Sequence, residues 1–392
     1  MSCWLRLCLL VVAISSGPLV HAEDPYQANP GTIRLTLPPV VPAVVGRECN
    51  IYFDNVVLIP NPANVVFDVN CLRGNQLADH WTWVPPAADV GDIQLQLDVR
   101  DAENRVIATG RTLLRIVPAN QGEGGQLTVL CVGDSLTHSS QYTQRLLNRS
   151  AEPGNPKLTL IGSHFVGEPG PNRHEGYGGW TARRFATHYT GIARTGEYSK
   201  RGSPFLYPDA AGKPELDFTH YCQDVNGGTF PDLVTIFLGP NDLFSFNDET
   251  IEPAVSDVFM NLDLLIDMVR KASPTTQIAI MLPVPPATSQ DSFGANYGSG
   301  QTRWQYKRNI HRMVERLLAE YANRPGVLLV PTNLGLDCEN NYPTGTSKRD
   351  AVSQVEITRQ NNSVHPAETG YFQIGDSLFD WIKGQPNLLK TP

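Results

Sequence analysis

Apolar and polar positions follow two different rhythms along the chain. Up to about residue 120 the apolar segments are short, rich in Val, Ile, Thr and aromatic residues, and often alternate with polar ones. Examples are TIRLTLPPVVPAVV, CNIYFDNVVLI, NVVFDVNC, HWTWVPP, DIQLQLDVR and VIATGRTLLRIV. Pro, Asn and Gly separate these segments. This pattern predicts an antiparallel β-sandwich of about 95 residues.

From Leu127 onward the apolar runs are continuous and alternate with helix-period segments. The runs are LTVLCV, LTLIG, LVTIFLG, QIAIML and VLLVP. Residues 251–273 and 304–321 instead place an apolar side chain every three or four positions. Continuous strands alternating with amphipathic helices indicate an α/β fold, in which helices cover both faces of a parallel sheet. In such sheets ligands bind outside the carboxyl ends of the strands.

These rhythms divide the chain into a signal peptide at 1–22, an N-terminal β-sandwich domain at 23–120 and an α/β domain at 121–392. In the first segment Arg6 precedes an apolar stretch at 7–14, and Val20-His21-Ala22 fits a cleavage site. An uncleaved N-terminal anchor helix is the alternative. We expect a secreted or periplasmic protein. The residues 120–125, NQGEGG, have the composition of a flexible linker.

Composition and charge narrow the possible partners. Hydrophobic residues make up 41% of the chain, which is enough for a large core, and the net charge is −8. A negative charge disfavours nucleic acid and anionic membrane surfaces as main partners. After the signal peptide no apolar stretch approaches bilayer length, so stable membrane insertion is not expected.

The cysteines predict no metal site. Cys49 and Cys71 lie in neighbouring predicted strands and could form a disulfide in an oxidising compartment. Cys131 lies in a buried run and is expected to act as a small apolar residue. The chain has no C-x-x-C pair and no His/Cys cluster with zinc spacing. We therefore expect neither a metal nor a cofactor.

A polar cluster directly follows the first continuous strand. Gly133, Asp134 and Ser135 stand where an α/β sheet exposes ligand-binding residues. A serine hydroxyl becomes a nucleophile only when a base accepts its proton and donors stabilise the oxyanion. His365, in NNSVHPAETGY, follows the last predicted strand, and Pro366 keeps it out of the helical region. The two residues are candidates for nucleophile and base.

Four ordered blocks resemble those of SGNH (GDSL-type) hydrolases. They are GDSL at 133–136, HEGYGGW at 174–180, GPND at 239–242 and VHP at 364–366. The resemblance covers residues 126–383 and leaves out the sandwich. It implies a flavodoxin-like three-layer α/β/α fold and a carboxylic ester hydrolase that needs no cofactor.

Carried over position by position, the resemblance assigns four catalytic roles. Ser135 would be the nucleophile, and its backbone N–H the first oxyanion donor. Gly179 would supply a second backbone N–H, and Asn241 a third donor through its side chain. His365 would act as general base and then as general acid.

One position departs from the family pattern. The family usually has Asp three residues before the histidine, and here that residue is Asn362. An Asn can accept a hydrogen bond from the imidazole and hold its tautomer, although it cannot stabilise the imidazolium by charge. A backbone carbonyl, Asp350 or Glu368 could orient the ring instead.

The surrounding residues suggest an ester of a carbohydrate. Tyr177, Trp180 and Phe244 flank the expected oxyanion residues and could form a platform for an acyl group or a sugar, or could simply pack in the core. Loops at 203–228 and 289–300 could border the cleft. No broad apolar lid of the lipase type is present, and HEGYGGW is similar to a block of SGNH enzymes that remove acetyl groups from plant polysaccharides.

Three functions remain open from the sequence. The first is an exported carbohydrate O-acetylesterase that acts on acetylated polysaccharide. The second is a lysophospholipase, thioesterase or arylesterase on the same scaffold. The third is a catalytically degenerate, glycan-binding module. In the sandwich, Trp81 and Trp83 share one strand face and either bind carbohydrate or belong to the core.

Overall fold

The structure is a computed structural model that describes residues 33–191, 200–295 and 300–389. The predicted signal peptide at 1–22 lies outside the described residues, as does part of the predicted 289–300 loop.

The N-terminal region contains two packed sheets. Its elements are β1 (Val40–Val44), β2 (Cys49–Tyr52), α1 (Phe53–Val56), β3 (Val66–Cys71), β4 (Asn75–Gln76), β5 (His80–Trp83), β6 (Gly91–Arg100) and β7 (Val106–Val117). The four-stranded sheet has the order β1-β7-β6-β3, and the three-stranded sheet has the order β2-β5-β4. Short 3₁₀ turns span Pro62–Asn64 and Ala87–Asp89.

The predicted sandwich is correct except in one strand direction. All pairs are antiparallel apart from β1 and β7, which run parallel. β1 lies at the start of the domain and β7 at its end, so no hairpin fixes their relative direction. The first sheet is therefore mixed rather than purely antiparallel.

Apolar side chains from both sheets meet in one core, and Trp81 belongs to it. Trp81 is 2% exposed, and its indole Nε1 donates to the carbonyl of Arg73 at 3.1 Å. Trp83 is half-buried against the same core. The pair is therefore structural rather than a carbohydrate platform. Cys49 and Cys71 lie in different sheets and are free thiols, so the possible disulfide is not formed.

The second domain has the three-layer α/β/α fold expected from the sequence. The elements are β8 (Gln126–Gly133), α2 (Ser135–His138), α3 (Gln141–Ser150), β9 (Lys157–Ile161), β10 (Glu175–Gly176), α4 (Ala182–Thr187), β11 (Leu206–Pro208), β12 (Pro214–Leu216), α5 (Phe218–Asn226), β13 (Leu233–Phe237), α6 (Pro240–Leu243), α7 (Ile251–Ala272), β14 (Gln277–Met281), α8 (Asp291–Ala295), α9 (Arg303–Tyr321), β15 (Val327–Val330), β16 (Thr344–Lys348), β17 (Glu356–Gln360) and α10 (Glu368–Lys383). A 3₁₀ turn at Pro386–Leu388 follows.

The parallel sheet of this region has the order β10-β8-β13-β14-β15, and β9 pairs with the first half of β8. One apolar core lies on each face of the sheet. The first packs against α4, α5, α7 and α9, and the second against α3 and α10.

The two long helices match the apolar periodicity of the sequence. The pattern at 251–273 corresponds to α7, and the pattern at 304–321 corresponds to α9. The segment between β7 and β8 forms consecutive hydrogen-bonded turns, in which the N–H of Glu123 donates to Asn120 and that of Gly125 to Gly122. The predicted linker is thus folded back on itself. The division of the chain at residue 120 stays a prediction.

Charged and polar contacts join the sandwich to the α/β domain. Asp54 of α1 pairs with Arg303 at 2.8 Å and with the almost fully buried Lys307. The side-chain amide of Asn55 donates to the carbonyl of Leu336 at 2.8 Å. Leu334 is part of the sandwich core. The two regions therefore share buried polar and apolar contacts.

Replacing Asp54 with Ala should destabilise the whole chain. Burial already lowers the pKa of Lys307, and loss of Asp54 removes the carboxylate that pairs with this buried ammonium. Breaking a buried ion pair in this way lowers the free energy of unfolding by about 3 kcal/mol. Asp68→Ala is the control, because Asp68 pairs with Arg100 on the exposed sheet face and its loss should cost under about 1 kcal/mol. Urea unfolding checks both values, and equal costs would contradict the interface described above.

Candidate active site

A tight turn at the end of β8 presents Ser135. Gly133 has no room for a side chain, since a Cβ there would lie 2.1 Å from Thr137 Oγ1 and 2.8 Å from the carbonyl oxygen of Phe237. Asp134 caps the next helix, because its Oδ1 accepts the N–H of Leu136 at 2.9 Å. Ser135 is therefore the first residue of α2 and lies at the carboxyl edge of the sheet.

Ser135 and His365 are in direct contact. His365 Nε2 lies 2.7 Å from Ser135 Oγ, although 230 positions separate the residues. Burial lowers the pKa of His365 below its usual value. The imidazole is thus neutral at neutral pH and can accept the hydroxyl proton. Helix α10 begins at Glu368, two residues after Pro366, so His365 sits on the loop, as the sequence predicts.

Asn362 organises the backbone of the histidine loop. Its Oδ1 accepts the N–H of Val364 at 3.1 Å and that of His365 at 2.9 Å, as in an Asx turn. The side chain thereby fixes where the imidazole leaves the main chain. Asp350, an alternative orienting residue, accepts two backbone N–H groups at the tip of the β16–β17 hairpin instead. Glu368 is exposed in the first turn of α10.

Gly179 lies in a turn that requires glycine. The N–H of Trp180 donates to the carbonyl of Tyr177 at 3.1 Å, and Gly179 within this turn has a φ of +74°. Residues with a Cβ rarely adopt that conformation. No atom lies within 4 Å of the position where its Cβ would be, so the turn is open on that side.

Asn241 and Asp242 tie the GPND turn to the HEGYGGW segment. Asn241 Nδ2 donates to the carbonyl of Trp180 at 3.1 Å, which leaves the second amide hydrogen for another acceptor. Asp242 Oδ1 accepts the N–H of Ala182 at 2.9 Å. Two side chains from one turn therefore hold the carboxyl-terminal end of that segment.

The register of the sheet places the turns of Ser135, Gly179 and Asn241 at the same edge. Gly133 of β8 pairs with Gly176 of β10 on one side and with Phe237 of β13 on the other. Ser135, Gly179 and Asn241 follow these paired residues by two to four positions. The expected nucleophile and oxyanion donors thus share one edge of the sheet.

Two of the aromatic residues predicted to bind substrate lie in the core instead. Tyr177 is 0% exposed and Trp180 is 2% exposed, and their rings stack in the core at 4.6 Å. The prediction of a platform is wrong for both, because the segment after β10 folds against α4 and directs these rings inward. Phe244 is half-buried against Tyr306, at 5.1 Å between ring centroids, and its contact with substrate stays a prediction.

Glu175, for which the sequence pattern indicates no role, is the second residue of the HEGYGGW segment and lies in the interior. The carboxylate is fully buried and accepts the hydroxyls of Tyr177 and Tyr221, each at 2.7 Å. The N–H and hydroxyl of Ser163 also donate to it. Burial raises the pKa of Glu175, while four donors favour its charged form. Glu175 fixes the segment that leads to Gly179.

Three histidines near α2 were also missed. His138 Nδ1 lies 2.8 Å from His164 Nε2, and His174 Nε2 lies 2.7 Å from Ser140 Oγ. The N–H of Gly176 donates to His174 Nδ1, so Nε2 carries the hydrogen and donates it to Ser140. Burial lowers the pKa of His164 to about 4 and that of His174 to about 3. The hydrogen bonds of these neutral rings hold the segment after Ser135 in place.

Within residues 33–191, 200–295 and 300–389 no three His, Cys, Asp or Glu side chains are arranged to hold a metal ion. No helix in the same ranges has the length and apolar character needed to cross a bilayer.

Comparison with known proteins gives a family match and structural neighbours. The model of the GDSL-like Lipase/Acylhydrolase family matches residues 131–372. A search of curated proteins finds no match.

The similar solved structures include three carbohydrate esterases. A carbohydrate esterase family 3 protein from Talaromyces cellulolyticus is 14% identical, with 67% of this chain and 98% of that chain covered and a TM-score of 0.39. A family 3 carbohydrate esterase from Clostridium thermocellum is 17% identical, with coverages of 65% and 94% and a TM-score of 0.34. A carbohydrate acetylesterase family member from Sinorhizobium meliloti is 17% identical, with coverages of 65% and 97% and a TM-score of 0.37. Similarity at this level does not indicate the substrate of this chain.

Replacing Asn362 with Ala should slow the reaction of Ser135 with a fluorophosphonate probe. The change removes the oxygen that accepts two backbone hydrogen bonds in the histidine loop. The net free energy of one such bond corresponds to labelling of Ser135 that is about 10-fold slower. Asn362→Asp keeps an acceptor oxygen and should label within about threefold of the unchanged protein, a difference below 1 kcal/mol. Asn361→Ala, at an exposed neighbour, is the control. Equal labelling of all variants would show that Asn362 does not position the histidine.

Proposed function

This chain belongs to the GDSL-like lipase/acylhydrolase family, which makes it an ester hydrolase, and we propose that Ser135 is its nucleophile and His365 its base. The observation that carries the proposal is the 2.7 Å contact between Ser135 Oγ and His365 Nε2. It lies at the carboxyl edge of the parallel sheet, where α/β folds bind their ligands.

The reaction proceeds through an acyl-enzyme. Ser135 Oγ attacks the ester carbonyl while His365 Nε2 takes the hydroxyl proton. The tetrahedral intermediate collapses, His365 gives that proton to the leaving alcohol, and the acyl group stays on Ser135. A water molecule then attacks the acyl carbonyl while His365 takes its proton. The bond between the acyl group and Ser135 Oγ breaks as His365 returns this proton to Oγ, and the carboxylic acid leaves. Each step needs only groups of this chain, the ester and water.

Three hydrogen-bond donors stabilise the oxyanion in this proposal. They are the backbone N–H groups of Ser135 and Gly179 and the side-chain amide of Asn241, which come from three turns at the same edge of the sheet. Because Asn241 donates one amide hydrogen to the carbonyl of Trp180, its amide is held in place before substrate arrives. Fixed donors of this kind reduce the reorganisation needed in the transition state.

We further propose that the acyl group is short and that the alcohol is a carbohydrate. Tyr177 and Trp180 fill the core beside the oxyanion turn, so their rings do not open an acyl channel there. The similarity of HEGYGGW to the polysaccharide acetylesterase block supports acetylated polysaccharide as the substrate, with secretion or periplasmic export through residues 1–22. A lysophospholipase, thioesterase or arylesterase is the second candidate.

A degenerate glycan-binding module fits the site less well. Such a module would not need a serine hydroxyl at hydrogen-bond distance from a neutral histidine. The buried Glu175 and the Asx turn at Asn362 hold the surrounding segments in place. These supports are expected where the geometry of a reaction has to be kept.

Hydrolysis of p-nitrophenyl esters of increasing acyl length tests the proposal. We expect acetyl esters to be preferred over octanoyl esters. Ser135→Ala should lower kcat by about 10⁴-fold or more. Asn241→Ala should lower kcat by about 10²-fold to 10³-fold with a smaller change in KM, since the donor acts mainly in the transition state.

The control for these variants is Ser377→Ala, which changes a serine of α10 whose hydroxyl makes only a long 3.4 Å contact with the carbonyl of Pro331. It should retain activity. A preference for octanoyl esters would favour the lipid candidate, and full activity of Ser135→Ala would refute the assignment of the nucleophile.

A further inference from the structure

Asn241 stands on a single turn of helix. Helix α6 has only four residues, Pro240–Leu243, and the N–H of Leu243 donates to the carbonyl of Gly239 at 3.0 Å. A helix this short is unstable by itself, and the carbonyls at the C-terminus of a helix have no partner within it. The backbone that presents Asn241 therefore depends on contacts from outside α6.

Asn309 of α9 supplies two of these contacts. The residue is fully buried, and its Nδ2 donates to the carbonyl of Leu243 at 3.0 Å and to that of Phe246 at 2.8 Å. Asn309 Oδ1 accepts Gln305 Nε2 at 3.0 Å, from one turn earlier in α9. Both amide hydrogens of Asn309 are thus bound by the end of α6 and the segment after it, and the orientation of the amide is fixed.

Gln301, just before α9, binds the same segment. Gln301 Nε2 donates to the carbonyl of Phe244 at 2.6 Å and to that of Phe246 at 3.2 Å. Its Oε1 accepts the N–H of Thr302 at 2.8 Å, which holds the amide in this orientation. The two side-chain amides together pair the carbonyls of Leu243, Phe244 and Phe246, as further turns of helix would do in a longer helix.

Helix α9 also contacts the start of the turn. Gly239 has a φ of +136°, and a Cβ at this position would lie 2.8 Å from Met313 Sδ. Met313 follows Asn309 by four residues, so the two side chains share one face of α9. Asn241 lies between the two contacted positions, Gly239 and Leu243. One face of α9 therefore contacts the turn on both sides of Asn241.

We propose that Asn309 and Gln301 are positioning residues that hold Asn241 where its amide can donate to the oxyanion, an inference that rests on the proposed function. The side chain of Asn241 is held by the carbonyl of Trp180, and its backbone is held by the two amides. Without these amides the turn moves relative to Ser135. A donor displaced by about 1 Å stabilises the transition state less well, although substrate still binds.

The test is a double-mutant cycle on the kcat of p-nitrophenyl acetate hydrolysis. Asn309→Leu keeps the approximate size of the side chain but removes both donated hydrogen bonds. We expect it to lower kcat about 10-fold, in line with the net free energy of a lost hydrogen bond, and to leave KM within about threefold. In the Asn241→Ala background the oxyanion donor is already absent, so Asn309→Leu should change kcat by less than about twofold.

Asn261→Leu is the matched control. Asn261 is a buried residue of α7, and its Nδ2 donates to the carbonyl of Asp257, in its own helix, at 2.7 Å. The variant loses a comparable hydrogen bond that does not involve α6, and it should keep kcat in both backgrounds. Asn309→Leu would overturn the proposal if it lowered kcat equally with and without Asn241, or if it lowered kcat in neither background.

Gln301→Glu covers the case in which Asn309→Leu does not fold. Gln301 is half-buried, and the substituted carboxylate keeps an oxygen for the N–H of Thr302 while it removes the donor to Phe244 and Phe246. Its kcat should fall by about 3-fold to 10-fold, and only when Asn241 is present. No fall, or a fall of the same size in Asn241→Ala, would contradict the proposal.

Hydrogen exchange separates the failure of this proposal from the failure of the proposed function. A kcat that Asn241→Ala alone leaves unchanged would refute the oxyanion assignment, and no ester hydrolysis by the unchanged protein would refute the proposed function. Amide exchange of residues 239–246, measured by mass spectrometry, tests the anchoring without any substrate. In Asn309→Leu these amides should exchange at least about threefold faster, while those of residues 133–136 keep their rates. Unchanged exchange at 239–246 would contradict the anchoring.

Discussion

The contact between Ser135 and His365 depends on a single strand and on the two strands beside it. β8 ends at Gly133, where only glycine fits between Thr137 and the neighbouring strand, and the chain turns at once into the helix that starts with Ser135. Had the turn been wider, the hydroxyl would not reach the histidine loop. Because β10 and β13 pair with the same glycine, the oxyanion turns leave the sheet at the same height.

The histidine loop is supported from the sandwich as well as from its own domain. The amide of Asn55 donates to the carbonyl of Leu336, and the buried thiol of Cys338 donates to Asn55 Oδ1. The side chain of Gln360, at the end of β17, donates to the carbonyl of Cys338 at 2.8 Å. Five residues later the chain reaches His365. Hydrogen bonds thus connect Asn55 of α1, through Cys338, to the end of the strand that leads to the histidine loop.

Local patterns predicted the α/β fold and the candidate pair Ser135 and His365, which are in contact at 2.7 Å, but not the packing around them. Ser135 could be predicted because a polar cluster at the end of an apolar strand has a physical reason, and His365 because Pro366 stiffens its loop. Tyr177 and Trp180 point inward because of where α4 packs. The spacing of residues in HEGYGGW does not predict that packing. The parallel pairing of β1 with β7 likewise joins segments that are distant in the sequence, and no turn residue predicts it.

The most direct test of the account is to locate the acyl group during turnover. The protein would be mixed with an excess of an activated acetyl ester, quenched in acid within milliseconds and digested, and its peptides analysed by mass spectrometry. The account predicts acetyl on the peptide that contains Ser135, and none on this peptide when His365 is replaced by Ala. Hydrolysis without any acylated peptide, or acetyl on another residue with Ser135 unmodified, would contradict it.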